Sequence, residues 1–255
     1  MDKKVIDINC DMGESTHLWN YSLEQDLRLL DYVSSINLAC GAHAGDPIVA
    51  STIIESAYHK NLAIGAHPSF FDRENFGRSN CAPAPNQLFQ ELIFQIAGLK
   101  ALVNWSGAIL HHVKPHGALY NMAANDKILA GVIIDAVKEV APEAQLYCLS
   151  GSGMAIWARE AGIQVRSECF SDRTYQIDGT LTSRKSPNAL IENKEEMLKQ
   201  VARLATTGTV VCVDGSQIAL PVDTICIHGD GKFALDYAIA IKKDLTEHGI
   251  AIQWN

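Results

Sequence analysis

The sequence predicts a parallel α/β fold closed as a (β/α) TIM-like barrel, and two observations lead there. Short apolar runs rich in β-branched residues alternate with longer amphipathic ones along nearly the whole chain, the pattern of a parallel sheet covered by helices. Ionisable side chains then follow strand after strand. In a barrel every carboxyl-terminal strand end faces the same way, which is where active sites of that architecture lie.

The elements can be justified in order. "VIDIN" (5–9) leads into "NCDMGE", which carries Asp11 and Glu14. Leu23, Leu27, Leu30 and Val33 then share one helical face. "INLAC" (36–40) is followed by His43 and Asp46 in "CGAHAGD". Asp46 before Pro47 also suits a helix N-cap with proline at the first helical position. "LAIGA" (62–66) delivers His67 and a long mixed loop, 68–85, before a helical face of Phe89, Ile93, Ile96 and Leu99. "AILHHV" (108–113) delivers Lys114 and His116, and His112, ahead of the strand end, is expected to pack. Ile133, Val137 and Val140 mark the next helix, and "QLYCL" (145–149) runs into "SGSG", 150–153.

"QVRSE" (164–168) contributes Glu168, with Asp172 and Arg173 at the head of a second long loop, 171–189. Long loops inside a compact domain are often functional. The turn-rich "DGSQIALP" separates "TVVCV" (209–213) from "TICIH" (224–228), so these read as an antiparallel insertion plus a barrel strand. The latter supplies His228 and Asp230.

A chain of 255 residues with no Pro/Gly/Ser linker, low-complexity tract or internal repeat reads as one domain, 1–255. Its net charge of −8 argues against a nucleic-acid-binding surface. No run is apolar enough for a signal peptide or a membrane span. Seven cysteines without a CxxC pair fit reduced thiols in a cytoplasmic protein better than a zinc–thiolate site.

Carboxylates beside imidazoles suit proton transfer, and a partly buried Lys114 suits stabilisation of a developing oxyanion. No Gly-x-Ser-x-Gly elbow or cysteine-nucleophile motif is present, so addition of water to a carbonyl is favoured over a covalent acyl-enzyme. Asp11, His67 and His116 would also make a one-metal site. "GSGMAIWA" and "HGDGK" both depart from the phosphate-binding P-loop pattern.

The motifs "DINCDMGES", "INLACGAHAGDP", "IGAHPSF", "FGRS", "HHVKPHGALYN", "SDRTY…DGTL…R" and "ICIHGD" resemble, in order, those of the LamB/YcsF family, the A subunits of prokaryotic ATP-dependent 5-oxoprolinase. The resemblance implies a seven-stranded barrel of the glycoside hydrolase/deacetylase type. It implies cleavage of a lactam, 5-oxo-L-proline, to L-glutamate, together with B and C partner subunits. ATP, accompanied by Mg, is the implied co-substrate, held largely by the partners because this chain lacks a P-loop. Phe71, Asn75 and Ser79 stand where the family commonly has Pro, Gly and Arg. Two other readings fit the residues: a metal-dependent amidase or deacetylase acting alone, and a non-catalytic lactam-binding subunit.

Overall fold

Polar and apolar side chains alternate along the first strand, β1 (Lys4–Met12), and the alternation separates two interiors. Ile6, Ile8, Cys10 and Met12 join the main hydrophobic core under the helices. Asp7, Asn9 and Asp11 point the other way and bond to groups from neighbouring strands, as the period of two dictates. The computed structural model describes residues 4–19, 21–229 and 233–254.

Six further strands complete a closed parallel barrel. β2 (Ser35–Ala39), β3 (Ala63–His67), β4 (Leu110–Val113), β5 (Gln145–Leu149) and β6 (Val165–Phe170) follow in order. β7 (Thr209–Val211) and β8 (Gln217–Ala219) pair antiparallel as a separate ribbon, the insertion foreseen at this point. β9 (Thr224–Ile227) pairs with β6 on one side and β1 on the other, closing the cylinder. A last strand, β10 (Ile250–Ile252), which the sequence pattern did not reveal, lies parallel to the start of β1.

Two strands run further than their apolar runs suggested. β1 continues to Met12 and β6 to Phe170, because Asp11 and Glu168 find hydrogen-bond partners inside the barrel and need not leave the strand to be solvated.

The helices are α1 (Leu23–Leu29), α2 (Pro47–His59), α3 (Pro85–Trp105), α4 (Gly117–Ala123), α5 (Lys127–Val140), α6 (Gly153–Glu160), α7 (Lys194–Thr207) and α8 (Ala234–Glu247). On α3 the buried face is Leu88, Leu92, Ile96, Leu99 and Val103, one residue back from the predicted face at Phe89 and Ile93. Each fully buried Leu or Ile contributes about 1.5–3 kcal/mol, so the sheet holds this helix more than its own propensity does. Among the described residues no helix is long and apolar enough to cross a membrane, and all seven cysteines are free thiols.

A β-bulge between Leu110 and His112 shifts the register of β4 against β3. It turns His112 into the barrel opposite Gly65, where a Cβ would collide with the imidazole. His112 stacks on Tyr147 at 3.9 Å and bonds to Asn37 Oδ1 at 2.7 Å. It is a packing residue, as expected. The bulge also sets the phase that brings Lys114, two residues later, to the inner wall.

Candidate active site

The carboxyl-terminal strand ends open into a cleft of about 680 Å³ bordered by Asp11, Glu14, His67, Lys114, His116, Arg173 and His228. Lys114 is the hub of its floor. Its ammonium reaches Asp11 Oδ1 at 2.8 Å, Glu168 Oε1 at 2.9 Å, Cys226 Sγ at 3.1 Å and Asn9 Oδ1 at 3.2 Å. Burial alone would lower its pKa, but Asp11, Cys226 and Glu168 outweigh burial and push it well above the usual lysine range. Its three hydrogens are shared among four protein acceptors, an arrangement that suits a positioning role beside the expected one, polarisation of the reacting oxygen.

Asp11 is what it positions. Burial would raise this carboxyl, yet His67 and Lys114 together hold it well below the usual carboxylate range. Asn37 Nδ2 donates to the same Oδ1 at 2.8 Å. Glu168 lies wholly beneath the floor: Asn9 donates to Oε1 at 3.0 Å and Tyr120 to Oε2 at 2.6 Å.

Beside this lies a cluster of imidazoles whose outer nitrogens are all engaged. His67 donates from Nδ1 to the Lys114 carbonyl (2.7 Å), and His116 from Nε2 to the Phe76 carbonyl (2.9 Å). His43 Nδ1 is 2.9 Å from Ser69 Oγ, whose own hydrogen goes to the Phe70 carbonyl. Each ring thus turns its other nitrogen inward. His116 Nδ1 faces His67 Nε2 at 2.9 Å, and Glu14 Oε1 is 3.0 Å from His43 Nε2 and 3.4 Å from His116 Nδ1. Burial first, then the neighbouring imidazoles, holds His43 and His116 well below the usual imidazole range, so both are neutral.

Several acceptors therefore converge with too few protons between them. Imidazole nitrogens backed by outward hydrogen bonds, together with a carboxylate, form the donor set that suits a divalent transition metal. Glu14, His43, His67 and His116 place one such atom each within 4.8 Å of one another. Of the expected metal triad, His67 and His116 are in this group, while Asp11 stands at its edge, 3.4 Å from His67 Nε2. Asp11, Cys226 and His228 also lie close together, but burial pushes the Cys226 thiol well up despite Lys114. A protonated thiol is a poor ligand.

The remaining candidates divide. Asp172 bonds His228 Nδ1 at 2.8 Å. Burial would raise the Asp172 carboxyl, but His228 holds it low. Arg173 borders the cleft from the second long loop. Asp46 is exposed and caps α2, accepting from the backbone of Ile48 and Val49, so its N-cap role holds and it does not line the cleft. Asp230 lies outside the described residues.

Local sequence reasoning missed the turn at Phe76 and Gly77. Phe76 is fully buried with φ of 56°, a strained value for a non-glycine residue. A Cβ on Gly77 would stand 2.9 Å from His43 Cβ and 3.0 Å from His116 Cδ2. The turn is thus pressed onto the imidazoles, and the "FGRS" motif was its only signal. Asp72 shapes the same loop: it accepts from Asn75 Nδ2 (2.7 Å) and the Ser79 backbone (3.0 Å).

The fold is a closed parallel (β/α) barrel with its cleft at the carboxyl-terminal strand ends. The catalytic domain of a peptidoglycan N-acetylglucosamine deacetylase from Eubacterium rectale shares the fold, at a TM-score of 0.52 and 11% identity over 99% of this chain and 89% of that one. The chain belongs to the LamB/YcsF family, which it matches over residues 6–254. It is 44% identical over 248 residues to the 5-oxoprolinase A subunit of Tolumonas auensis, covering 97% of this chain and 98% of that protein. It is 46% identical over 250 residues to the 5-oxoprolinase A subunit of Bacillus cereus, with 98% of each covered. The crystal structure of a lactam utilization protein from Thermus thermophilus superposes with a TM-score of 0.90 at 36% identity, covering 98% of this chain and 100% of that one.

Proposed function

We propose that this chain is the A subunit of an ATP-dependent 5-oxoprolinase, working with B and C subunits to open 5-oxo-L-proline to L-glutamate. The observation that carries the reading is a cleft floor of buried carboxylates and imidazoles in a chain whose full-length relatives bear that name. A five-membered lactam is an unstrained amide with a poorly electrophilic carbonyl. Transfer of the γ-phosphoryl group of ATP to the lactam oxygen, releasing ADP, activates the carbon. One water then adds there, the ring C–N bond breaks as nitrogen takes up a proton, and a second water releases phosphate.

The residues divide these tasks. Asp11, held ionised, accepts a hydrogen bond from the attacking water and aims its lone pair, but is too weak a base to remove much of its proton. In the metal-free site the inward Nδ1 of neutral His116 is the proton acceptor beside it; with a metal bound, that nitrogen would be a ligand instead. His228, bonded to Asp172 through Nδ1 and 3.3 Å from Arg184 Nη2 through Nε2, is the second acid–base group, assigned to the departing nitrogen. Glu14, His43, His67 and His116 would hold a divalent metal, and such an ion supplies a water acidified toward neutrality. ATP use and seven free thiols support a cytoplasmic reaction.

The imidazole–carboxylate group favours one second reading, a metal-dependent amidase acting alone. Assay of glutamate and ADP release separates the two. Purified chain with ATP should leave 5-oxoproline intact, and addition of the B and C subunits should yield glutamate and ADP together. Ring opening by this chain alone, without ATP, would overturn the first reading in favour of the second.

A further inference from the structure

Arg173 is 4% exposed, yet no carboxylate among the described residues forms an ion pair with it. Its Nε donates to the Ala189 carbonyl at 3.3 Å and its Nη2 to the Thr182 carbonyl at 2.7 Å. Both acceptors are neutral. Nη1 has no acceptor among the described residues, and Arg173 borders the cleft. The adjacent acid, Asp172, is engaged by His228. A buried cation without an ion-paired carboxylate is costly; the charge of Asp172 offsets part of that cost, but other cations stand close by. Arg78, Arg184 and Lys185 line the same cleft. Burial first, and then Arg184, brings the Arg173 pKa down to about 10. In a chain of net charge −8, such a concentration of positive charge around one cleft calls for an anion within it.

We propose that Arg173 is a specificity-determining residue that binds the α-carboxylate of the lactam substrate, with Arg78 and Arg184 adding long-range attraction. The inference rests on the 5-oxoprolinase reading, since that substrate is an anion at neutral pH whereas a simple lactam is not. The two backbone carbonyls fix the guanidinium before substrate arrives, so little freedom is lost on binding. A carboxylate held there orients the ring, placing its carbonyl over the acid–imidazole floor. The loop that carries Arg173 is also held by backbone bonds of its own, from Thr182 N to Thr174 O and from Thr174 N to Ala189 O.

The test compares 5-oxo-L-proline with its neutral primary amide, 5-oxo-L-prolinamide, in the reconstituted complex. Wild type should favour the acid by about 100-fold in kcat/KM, the size expected for a charged hydrogen-bonded pair. Arg173→Gln should lose that preference, through a fall of about 100-fold for the acid with the amide and the KM for ATP nearly unchanged. A merely structural role would lower both substrates equally. That result, or a raised KM for ATP with discrimination intact (a phosphate site instead), overturns the proposal. If the glutamine variant does not fold, the wild-type ratio decides alone: near unity, it sinks the inference. Wild type that opens neither lactam removes the hydrolase reading itself, whereas equal turnover of acid and amide removes only the role of Arg173.

Discussion

The Lys114 ammonium stands 2.8 Å from Asp11 Oδ1, both side chains buried, at the centre of a polar column inside the barrel. Removing one partner of such a pair leaves the other charge without compensation, which costs about 3–5 kcal/mol. Lys114→Met should therefore lower both denaturant stability and turnover of the assembled enzyme. Equilibrium unfolding alongside the activity assay checks this. Normal stability with lost activity would return Lys114 to a direct role on substrate.

Gly65 and His112 form a second coupled pair, since no Cβ fits beneath the imidazole. Gly65→Ala should destabilise the fold by about 1–3 kcal/mol, the size typical of overpacking. His112→Ala is also harmful alone, because Asn37 Oδ1 loses its His112 bond and Tyr147 its stacked ring. The double variant should be more stable than the sum of the two losses predicts. Additive losses in a double-mutant cycle would show that the two positions do not share the strain.

Asp26 accepts from the Gly13 backbone at 2.9 Å behind the Glu14 turn. Burial raises its carboxyl from 3.8 to about 7, the Gly13 hydrogen bond opposing and Glu14 adding. The folded state thus holds this proton more tightly than the unfolded chain. Stability from this group is present below pH 3.8 and is lost as pH rises to about 7, at about 1.4 kcal/mol for each pH unit between those values. Asp26→Asn keeps an acceptor for Gly13 and cannot ionise. Its melting temperature should exceed wild type at alkaline pH and converge with it in acid. A gap independent of pH would show that Asp26 is not the titrating group.

The imidazole cluster predicts metal content. Chain purified without chelator should carry about one equivalent of zinc or a similar divalent ion, a single site with this donor set. His67→Ala and His116→Ala should lose it. Elemental analysis reads this directly. Added metal at about 100 times its Kd should stabilise the stripped wild type by about 2.7 kcal/mol, with no such shift in either variant. Metal-free preparations whose melting is unmoved by added ion would exclude the site.

The polar column was partly legible in "VIDINCDM", where Asp7, Asn9 and Asp11 alternate with apolar neighbours at the strand period. The barrel and the meeting of Asp11, Glu14, His67 and His116 at one mouth followed from strand ends carrying such groups. Other features depended on depth, which sequence order does not encode. Glu168 and Lys114 come from strands far apart in the chain, and only their pairing shows that they neutralise one another below the cleft. The bulge at β4 has no local signature, so the register shift that sets the phase of His112 and Lys114 could not be read in advance, although packing of His112 was expected. Asp46 carried the signals of both a cap and a site residue. Its backbone partners decide for the cap.

Closure of the cylinder through β1 and β9 has a kinetic consequence. Asp7 pairs with Thr224, and Lys4 with Ile250, so β1 must wait for strands far along the chain before one edge is satisfied. The intervening βα units can form from local contacts as they emerge, while the seam carries the largest sequence separation and the highest loop-closure entropy. Until it forms, the β1 edge is open and able to pair with another chain. Productive refolding of this protein is therefore a race between sealing its own seam and intermolecular strand addition, and dilution should favour the seal.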